Sequence, residues 1–201
     1  MDQQQPARHP GRQIHADQVS TVRSLYYDGP RFPACRANLD GIGERRKLRL
    51  RWYDSLLPGN DFQLELKWRS NRITGKHRLK LHSDVPLSQL SYAAIRDELQ
   101  RVVPDGFHQA LARYSEPVVI VEYRREHFVS GDRSIRMTLD YDIRFYDQLG
   151  RSAPFLRFPV ASDNLVVLEG KTPVGGESRL RELLEPLAPR AHRCSKYVHG
   201  C

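Results

Sequence analysis

Cationic side chains alternate with apolar ones over residues 44–53, and this alternation constrains the fold more than any other feature of the chain. Successive side chains of a β-strand point to opposite faces. One face of this strand would bury Leu48, Leu50 and Trp52. The other face would carry four cations, which are Arg45, Lys47, Arg49 and Arg51. Because neighbouring cations repel one another unless an anion offsets their charge, the pattern indicates a surface that holds a polyanion.

The size and charge of the chain fit one folded domain with an anionic partner. Its 201 residues, 39% of them hydrophobic, suit a single domain with a core. The net charge of +8 favours phosphate chains, nucleotides, nucleic acid or anionic membranes, without choosing among them. The longest apolar run, residues 118–121, is too short to cross a membrane, and residues 1–15 do not resemble a signal peptide. Three cysteines without a CxxC pair fit a reducing compartment, so we expect a cytoplasmic protein.

The remaining pattern predicts an α+β domain, in which an antiparallel β-barrel has helices packed outside. Residues 1–19 should be a flexible leader and residues 20–201 the domain. Besides 44–53, alternation predicts strands over residues 22–27, 62–68, 76–81, 118–125, 135–140, 142–146 and 165–171. Helical spacing predicts helices over residues 86–102, 107–114 and 177–187. The tail from 192 to 201 has His and Cys in no common zinc spacing, so we expect a terminal strand there.

The charged positions of these strands share faces, and this leaves two interpretations of the barrel. In the first, the apolar faces fill the barrel and the cations form a basic outer surface. In the second, the cations line a wet tunnel, and the apolar faces lie outward beneath the helices. Periodicity alone favours the first interpretation and leaves the second open.

Eight short segments in order along the chain carry a resemblance that favours the tunnel. They are residues 22–28 (VRSLYYD), 47–53 (KLRLRWY), 64–67 (LELK), 76–78 (KHR), 121–128 (VEYRREHF), 136–140 (RMTLD), 167–171 (VLEGK) and 195–200 (SKYVHG). Together they resemble the VTC (vacuolar transporter chaperone) domain, the polyphosphate-polymerase branch of the triphosphate tunnel metalloenzymes, which also include the CYTH proteins.

The resemblance implies a tunnel of antiparallel strands whose basic residues bind a row of phosphates. Six cations match the family's phosphate-binding positions and would also be its catalytic residues: Arg49, Arg51, Lys67, Arg125, Arg136 and Lys196. Four others join the phosphate-binding set by face: Lys47, Lys76, Arg78 and Lys171. Glu169 matches the family's metal-binding glutamate, so the expected cofactor is a divalent metal, Mn²⁺ or Mg²⁺. Arginine forks bind phosphate oxygens in pairs, and a divalent ion offsets the charge of a transferring phosphoryl group.

Two further carboxylates fall on charged faces. Glu65 could pair with Lys67 or serve as a second metal ligand, and we favour the ion pair. Asp140 could pair with Arg144 or Arg136, or lie near a metal, and pairing is again favoured.

The chain departs from the family at its start. Members of the superfamily begin with a charged strand, of the ExExK type in CYTH proteins, and residues 1–15 contain no such alternation. We therefore expect the first family strand to be missing, which puts metal binding and turnover in question more than polyanion binding.

Three functions stay open at this point. The preferred one is metal-dependent phosphoryl transfer with polyphosphate or ATP as the ligand, and polyphosphate synthesis from ATP is the favoured reaction. The second is a non-catalytic module that binds polyphosphate or an inositol phosphate. The third, nucleic-acid binding, is disfavoured because the charged faces lack an RRM-like or OB-like aromatic signature. The resemblance also allows a membrane or regulatory partner subunit, through which the protein could associate with a membrane.

Overall fold

The computed structural model describes residues 19–71, 73–162, 165–187 and 194–201. The strands of this part of the chain are β1 (Ser20–Asp28), β2 (Glu44–Tyr53), β3 (Asp61–Ser70), β4 (Ile73–His82), β5 (Glu116–Val129), β6 (Arg136–Asp147), β7 (Val160–Ser162) and β8 (Val167–Lys171). The helices are α1 (Pro33–Leu39), α2 (Tyr92–Val102), α3 (His108–Arg113), α4 (Glu177–Leu184) and α5 (Lys196–Gly200). Short 3₁₀ turns cover Leu87–Gln89, Asp105–Phe107 and Glu185–Leu187. Residues 1–18, which make up nearly all of the predicted leader, lie outside the described residues.

The strands form one antiparallel sheet in the order β4-β3-β2-β1-β5-β6-β7, with β8 also paired to β6. The α+β class and the antiparallel sheet expected from the sequence are therefore confirmed. Among the described strands the sheet is not closed, since no ladder joins β4 to β7 or β8. Strands β7 and β8 span only three and five residues, against ten in β4, so they offer few backbone groups with which a ladder could form.

The apolar face of the sheet carries the side chains that the alternation assigns to it. Leu50 of β2 lies directly between Leu25 of β1 and Leu64 of β3, and all three are at most 2% exposed. The same hydrophobic cluster contains Ile95 of α2 and Leu111 of α3. Because directly paired residues share a face, this face of the sheet belongs to the core that the helices complete.

The charged face is the concave one, and its electrostatics show the curvature. The charge of Lys67 on β3 lowers the pKa of Glu169 on β8. The charge of Lys171 on β8 likewise lowers the pKa of Lys76 on β4. Five strand steps of about 4.8 Å would separate β3 from β8 in a flat sheet, beyond the range of such an interaction. The sheet therefore curls around its charged side. Of the two interpretations, the curl agrees with the second in placing the cations on the inner side, although the described strands form an open sheet and not a closed tunnel.

Local differences from the predicted elements have identifiable causes. The two strands predicted over 135–140 and 142–146 are one strand, β6, which continues through a bulge where Asp142 has a positive φ of 52°. The predicted helix over 86–102 is a 3₁₀ turn followed by α2. The terminal strand predicted for the tail is wrong: it forms α5, with Ser195 as the capping residue that accepts a hydrogen bond from the Val198 backbone N–H. No helix in the described part of the chain is long and apolar enough to span a membrane.

Candidate anion-binding site

The strand register groups the predicted cations into rows across the concave face. One row is formed by Tyr26, Arg49, Glu65 and Arg78, on β1 to β4. The next row is formed by three lysines, Lys47, Lys67 and Lys76. On the other side of β1, pairing aligns Arg125 with Asp140, Thr138 with Glu169, and Arg136 with Lys171. The structure thus brings the predicted phosphate-binding cations to one side of the sheet.

These cations differ in depth. Half of them are buried or partly buried: Lys47, Arg49, Arg51, Arg125 and Lys196. The other half are exposed: Lys67, Lys76, Arg78, Arg136 and Lys171. The face therefore has a deep part around β1, β2 and β5 and an open part formed by β3, β4, β8 and the start of β6.

Glu65 is the central carboxylate of the deep part. It is only 1% exposed, its Oε2 accepts a hydrogen bond from Arg49 Nε at 2.7 Å, and its Oε1 accepts one from Arg78 Nε at 2.8 Å. The favoured ion pair is confirmed, but its predicted partner, Lys67, is wrong. Paired residues on adjacent strands lie closer than residues two apart along one strand, so Arg49 and Arg78 reach the carboxylate first. Burial raises the pKa of Glu65, yet Arg49, Arg51 and Arg78 outweigh it and lower that pKa to about 2.

Arg51 is the most deeply buried of the cations, at 4% exposure. Its Nε donates to Ser24 Oγ at 3.1 Å and its Nη2 to Tyr123 OH at 3.0 Å. Both acceptors are neutral, and Arg51 Nη1 lies 4.0 Å from Glu65 Oε2, the longest of the three ion pairs that Glu65 makes. The guanidinium is thus held in one orientation and shares the charge of Glu65 with Arg49 and Arg78.

Tyrosines support the deep cations, a role that the sequence did not predict. Tyr26 OH accepts a hydrogen bond from Arg49 Nη1 at 2.9 Å. The Tyr123 ring lies 4.7 Å from Lys196 Nζ and 5.1 Å from the Arg125 guanidinium carbon. Alternation placed Tyr123 on the same face as Arg125 but did not predict that the two side chains are in contact. Both faces of β1 mix polar and apolar residues, so only the strand pairing identifies Tyr26 as a contact of Arg49.

Asp140 joins two cations that are distant in sequence. It is fully buried, and it accepts hydrogen bonds from Arg125 Nε and Nη2 at 2.6 and 2.7 Å, while Lys196 Nζ lies 2.6 Å from its Oδ2. Burial raises its pKa, but Arg125 and Lys196 outweigh that effect and lower it. The predicted partners, Arg144 and Arg136, are wrong. The bulge at Asp142 turns Arg144 to the opposite face, where it pairs with Glu122 at 3.5 Å, and Arg136 lies four residues along the strand at its exposed end.

The start of α5 completes the deep part from above. Lys47 Nζ donates to Ser195 Oγ at 2.6 Å, and the Tyr197 ring stacks on Tyr26 with ring centres 5.3 Å apart. Burial and the neighbouring cations Lys67 and Arg45 lower the pKa of Lys47 to about 8, although Tyr26 acts in the opposite direction. A cation with this pKa changes its charge just above neutral pH.

Glu169, the expected metal ligand, lies in the open part. Its Oε1 is 3.3 Å from Lys171 Nζ. Burial raises its pKa, but Lys171, Lys67 and Arg125 outweigh burial and lower it, so Glu169 is an anion at neutral pH. Across the ladder is Thr138, whose Oγ1 is buried and has no hydrogen-bond partner among the described residues.

The donor set fits a divalent ion for which the protein supplies only part of the ligand shell. The described residues contain no group of three or more His, Cys, Asp and Glu side chains that could hold a metal by themselves. Mg²⁺ is commonly held by one or two carboxylates and completes its shell with phosphate oxygens and water. Glu169 and the unpaired Thr138 hydroxyl match that protein share, whereas Glu65 pairs with three cations and Asp140 with two.

The comparisons with known proteins identify the family. A family model of the VTC domain matches residues 2–201. The chain belongs to the VTC domain family. The resemblance noted from eight short segments is thereby confirmed, and it extends over the whole chain. No curated protein matches the sequence. Membership links this VTC domain to polyphosphate in general terms.

Proposed function

We propose that this VTC domain binds a linear phosphate chain along its concave face and transfers phosphoryl groups with a divalent metal, with polyphosphate synthesis from ATP as the preferred reaction. The supporting observation is the charge of that face. Ten predicted cations share it with three carboxylates, Glu65, Asp140 and Glu169. Because the repulsion among so many cations is offset only in part, an extended polyanion is the complementary ligand.

The arrangement of the deep cations suits phosphate rather than a diffuse anion. Arg49 and Arg51 are oriented by Tyr26, Ser24 and Tyr123 before any ligand arrives. Fixed guanidinium groups bind phosphate oxygens in pairs, at a smaller entropic cost than mobile side chains. Phosphoryl transfer needs positioning and charge stabilisation more than covalent chemistry. A divalent ion held by Glu169 and Thr138 would, when bound, offset charge on the transferring group.

A non-catalytic binding module is the second candidate, and the carboxylates favour it. Glu65 and Asp140 each pair with more than one cation, and among the described residues of the face this leaves Glu169 as the carboxylate with a single cationic neighbour in contact. Phosphate binding by the deep arginines requires none of these carboxylates to be free. The two candidates therefore share one binding site and differ only in turnover.

Binding is tested by calorimetric titration with tripolyphosphate. Replacing Arg49 by Ala removes a charged hydrogen-bond donor, so the affinity should fall about tenfold or more. Arg46→Ala is the matched control, since Arg46 is exposed and lies on the other face of the same strand. Equal losses in both variants would mean that general positive charge, not the concave face, binds the ligand.

Turnover is tested by incubating the protein with ATP and Mn²⁺ or Mg²⁺ and following polyphosphate and free phosphate by ³¹P NMR. The enzyme proposal expects product from the native chain and none from Glu169→Gln, which should still bind tripolyphosphate. Binding without any product supports the module instead. If single-stranded nucleic acid displaces tripolyphosphate, both phosphate proposals fail.

A further inference from the structure

Helices α1 and α5 meet at one buried carboxylate, that of Asp28 at the end of β1. Asp28 Oδ1 accepts hydrogen bonds from the backbone N–H groups of Gly29 and Ala34, at 2.7 and 2.9 Å. Its Oδ2 accepts one from the Cys35 backbone N–H at 3.0 Å and one from the Tyr197 hydroxyl at 2.5 Å. The first turn of α1 and the middle of α5 are therefore held within hydrogen-bonding distance of one oxygen atom.

This junction brings two cysteines together. Cys201 comes four residues after Tyr197, which is one helical turn, so both side chains lie on the same side of α5. The Tyr197 hydroxyl shares Asp28 Oδ2 with the Cys35 backbone N–H, so Cys35 and Cys201 lie at the same junction. The Cys201 thiol also interacts electrostatically with Cys35. Cys35 is buried in α1 and Cys201 is exposed, and both are free thiols. A small reactant therefore reaches Cys201 before Cys35, although the Cys201 thiol itself is partly enclosed.

We propose that Cys35 and Cys201 form a reversible disulfide that links α5 to α1, with a low-molecular-weight disulfide such as oxidised glutathione as the reactant. The Cys201 thiolate attacks one glutathione sulfur, which forms a mixed disulfide and releases one glutathione as its thiol. The Cys35 thiolate then attacks the Cys201 sulfur and releases the second glutathione. The two cysteines lose two electrons and two protons, and the glutathione disulfide takes up both.

The environment of Cys201 makes this reaction slow. Burial raises the pKa of Cys201 to about 12, and Cys35 and Asp28 act in the same direction, while only the Tyr197 hydroxyl opposes them. Few thiolates are present at neutral pH, so exchange should take hours and should be faster in alkaline buffer. In a reducing compartment the pair stays reduced until the glutathione pool becomes oxidised.

A disulfide at α5 would affect the anion site because two residues of this helix contact the deep part of the concave face. Lys196, at its start, contacts Asp140 and lies over Tyr123, and Tyr197 stacks on Tyr26. A disulfide at the far end of this short helix would hold Lys196 over the deep part of the concave face. This effect on ligand binding rests on the proposed function, whereas formation of the disulfide does not.

The test uses the full chain, incubated with oxidised glutathione at pH 8.5 and digested for peptide mass spectrometry under non-reducing conditions. A peptide pair that joins Cys35 to Cys201, and that dithiothreitol separates, is the expected product. Cys194→Ser is the matched control, because Cys194 is an exposed cysteine of the same tail, and it should keep the link. Cys201→Ser should abolish it without disturbing the buried Cys35.

Several results would overturn the proposal: a Cys194–Cys201 bridge, a link between chains, or mixed glutathione adducts that persist after prolonged incubation. Oxidation should also raise the melting temperature by roughly 5 °C or more, because the bridge closes a long loop. A rise of the same size in oxidised Cys201→Ser would contradict the assignment. If the link forms but tripolyphosphate does not bind, the proposed function fails and the disulfide stands.

Discussion

The protonation state of single residues in the concave face depends on neighbours that lie far away in sequence. Glu65 stays ionised in a buried position because Arg49 and Arg78 hydrogen-bond to it. Lys47 is the opposite case, since burial and nearby cations lower its pKa and so favour its neutral form. Replacing either residue should therefore change how the protein responds to pH.

Replacing Glu65 by Gln should lower the free energy of unfolding by about 3 kcal/mol, because Arg49 and Arg78 lose their counter-charge. The folded-state pKa of Glu65 is depressed to about 2, so its contribution is complete above the usual pKa near 4.5 and disappears as pH falls toward 2. Urea unfolding between pH 2 and 7 measures this. Glu116→Gln, at an exposed end of β5, should cost about 0.5 kcal/mol or less. An equal cost for both variants at pH 7 would contradict the role of Glu65.

Lys47 should make tripolyphosphate binding weaken above neutral pH. Its pKa of about 8 means that most of its charge is present at pH 7 and little at pH 9. Arginine keeps its charge over this range, so the affinity of the native chain relative to Lys47→Arg should fall by about tenfold between pH 7 and 9. Titration calorimetry of both proteins at each pH cancels the ionisation of the ligand. Parallel affinity curves would show that Lys47 does not contact the anion.

At the scale of elements, pairing between strands decides what each side chain meets. The bulge at Asp142 turns the second half of β6 over, so Arg144 leaves the charged face while Asp140 stays on it. The β3–β4 pair shows the same dependence at Gly75, where the Trp68 indole covers the position that a Cβ atom would occupy. Glycine is needed there for space and not for its backbone conformation.

Gly75→Ala should displace the Trp68 ring, shift the tryptophan emission and cost about 1–3 kcal/mol of stability. Gly59→Ala is the control, because a Cβ atom at Gly59 would have no neighbour within 4 Å. Intrinsic fluorescence and urea unfolding of both variants check the prediction. Unchanged emission in Gly75→Ala would mean that Trp68 does not pack on β4.

At the scale of the whole molecule, the curl of the sheet brings cations close together, and their mutual repulsion destabilises the protein when no anion is bound. Tripolyphosphate at a hundred times its dissociation constant should stabilise the fold by about 2.7 kcal/mol, which corresponds to roughly 5–10 °C in melting temperature. Sodium chloride at the same ionic strength should do much less. Thermal unfolding of the native chain and of an Arg49→Ala/Arg51→Ala variant makes the comparison. Equal stabilisation by both salts would indicate screening in place of a site.

Alternation along the sequence assigned residues to faces wherever a strand is regular, because side chains of a regular strand alternate with a period of two whatever it pairs with. It failed past the bulge at Asp142, where Arg144 lies on the other face. Arg49, Arg51, Lys67 and Arg125 were assigned in this way and with the family resemblance. The tertiary structure alone decided which face is concave, that Glu65 meets Arg49 and Arg78, and that Asp140 meets Lys196 across a long stretch of chain. It also made a helix of the tail and, among the strands that the structure describes, left the sheet open between its outer strands. Periodicity is a local property, whereas curvature, register and partners depend on contacts between distant parts of the chain.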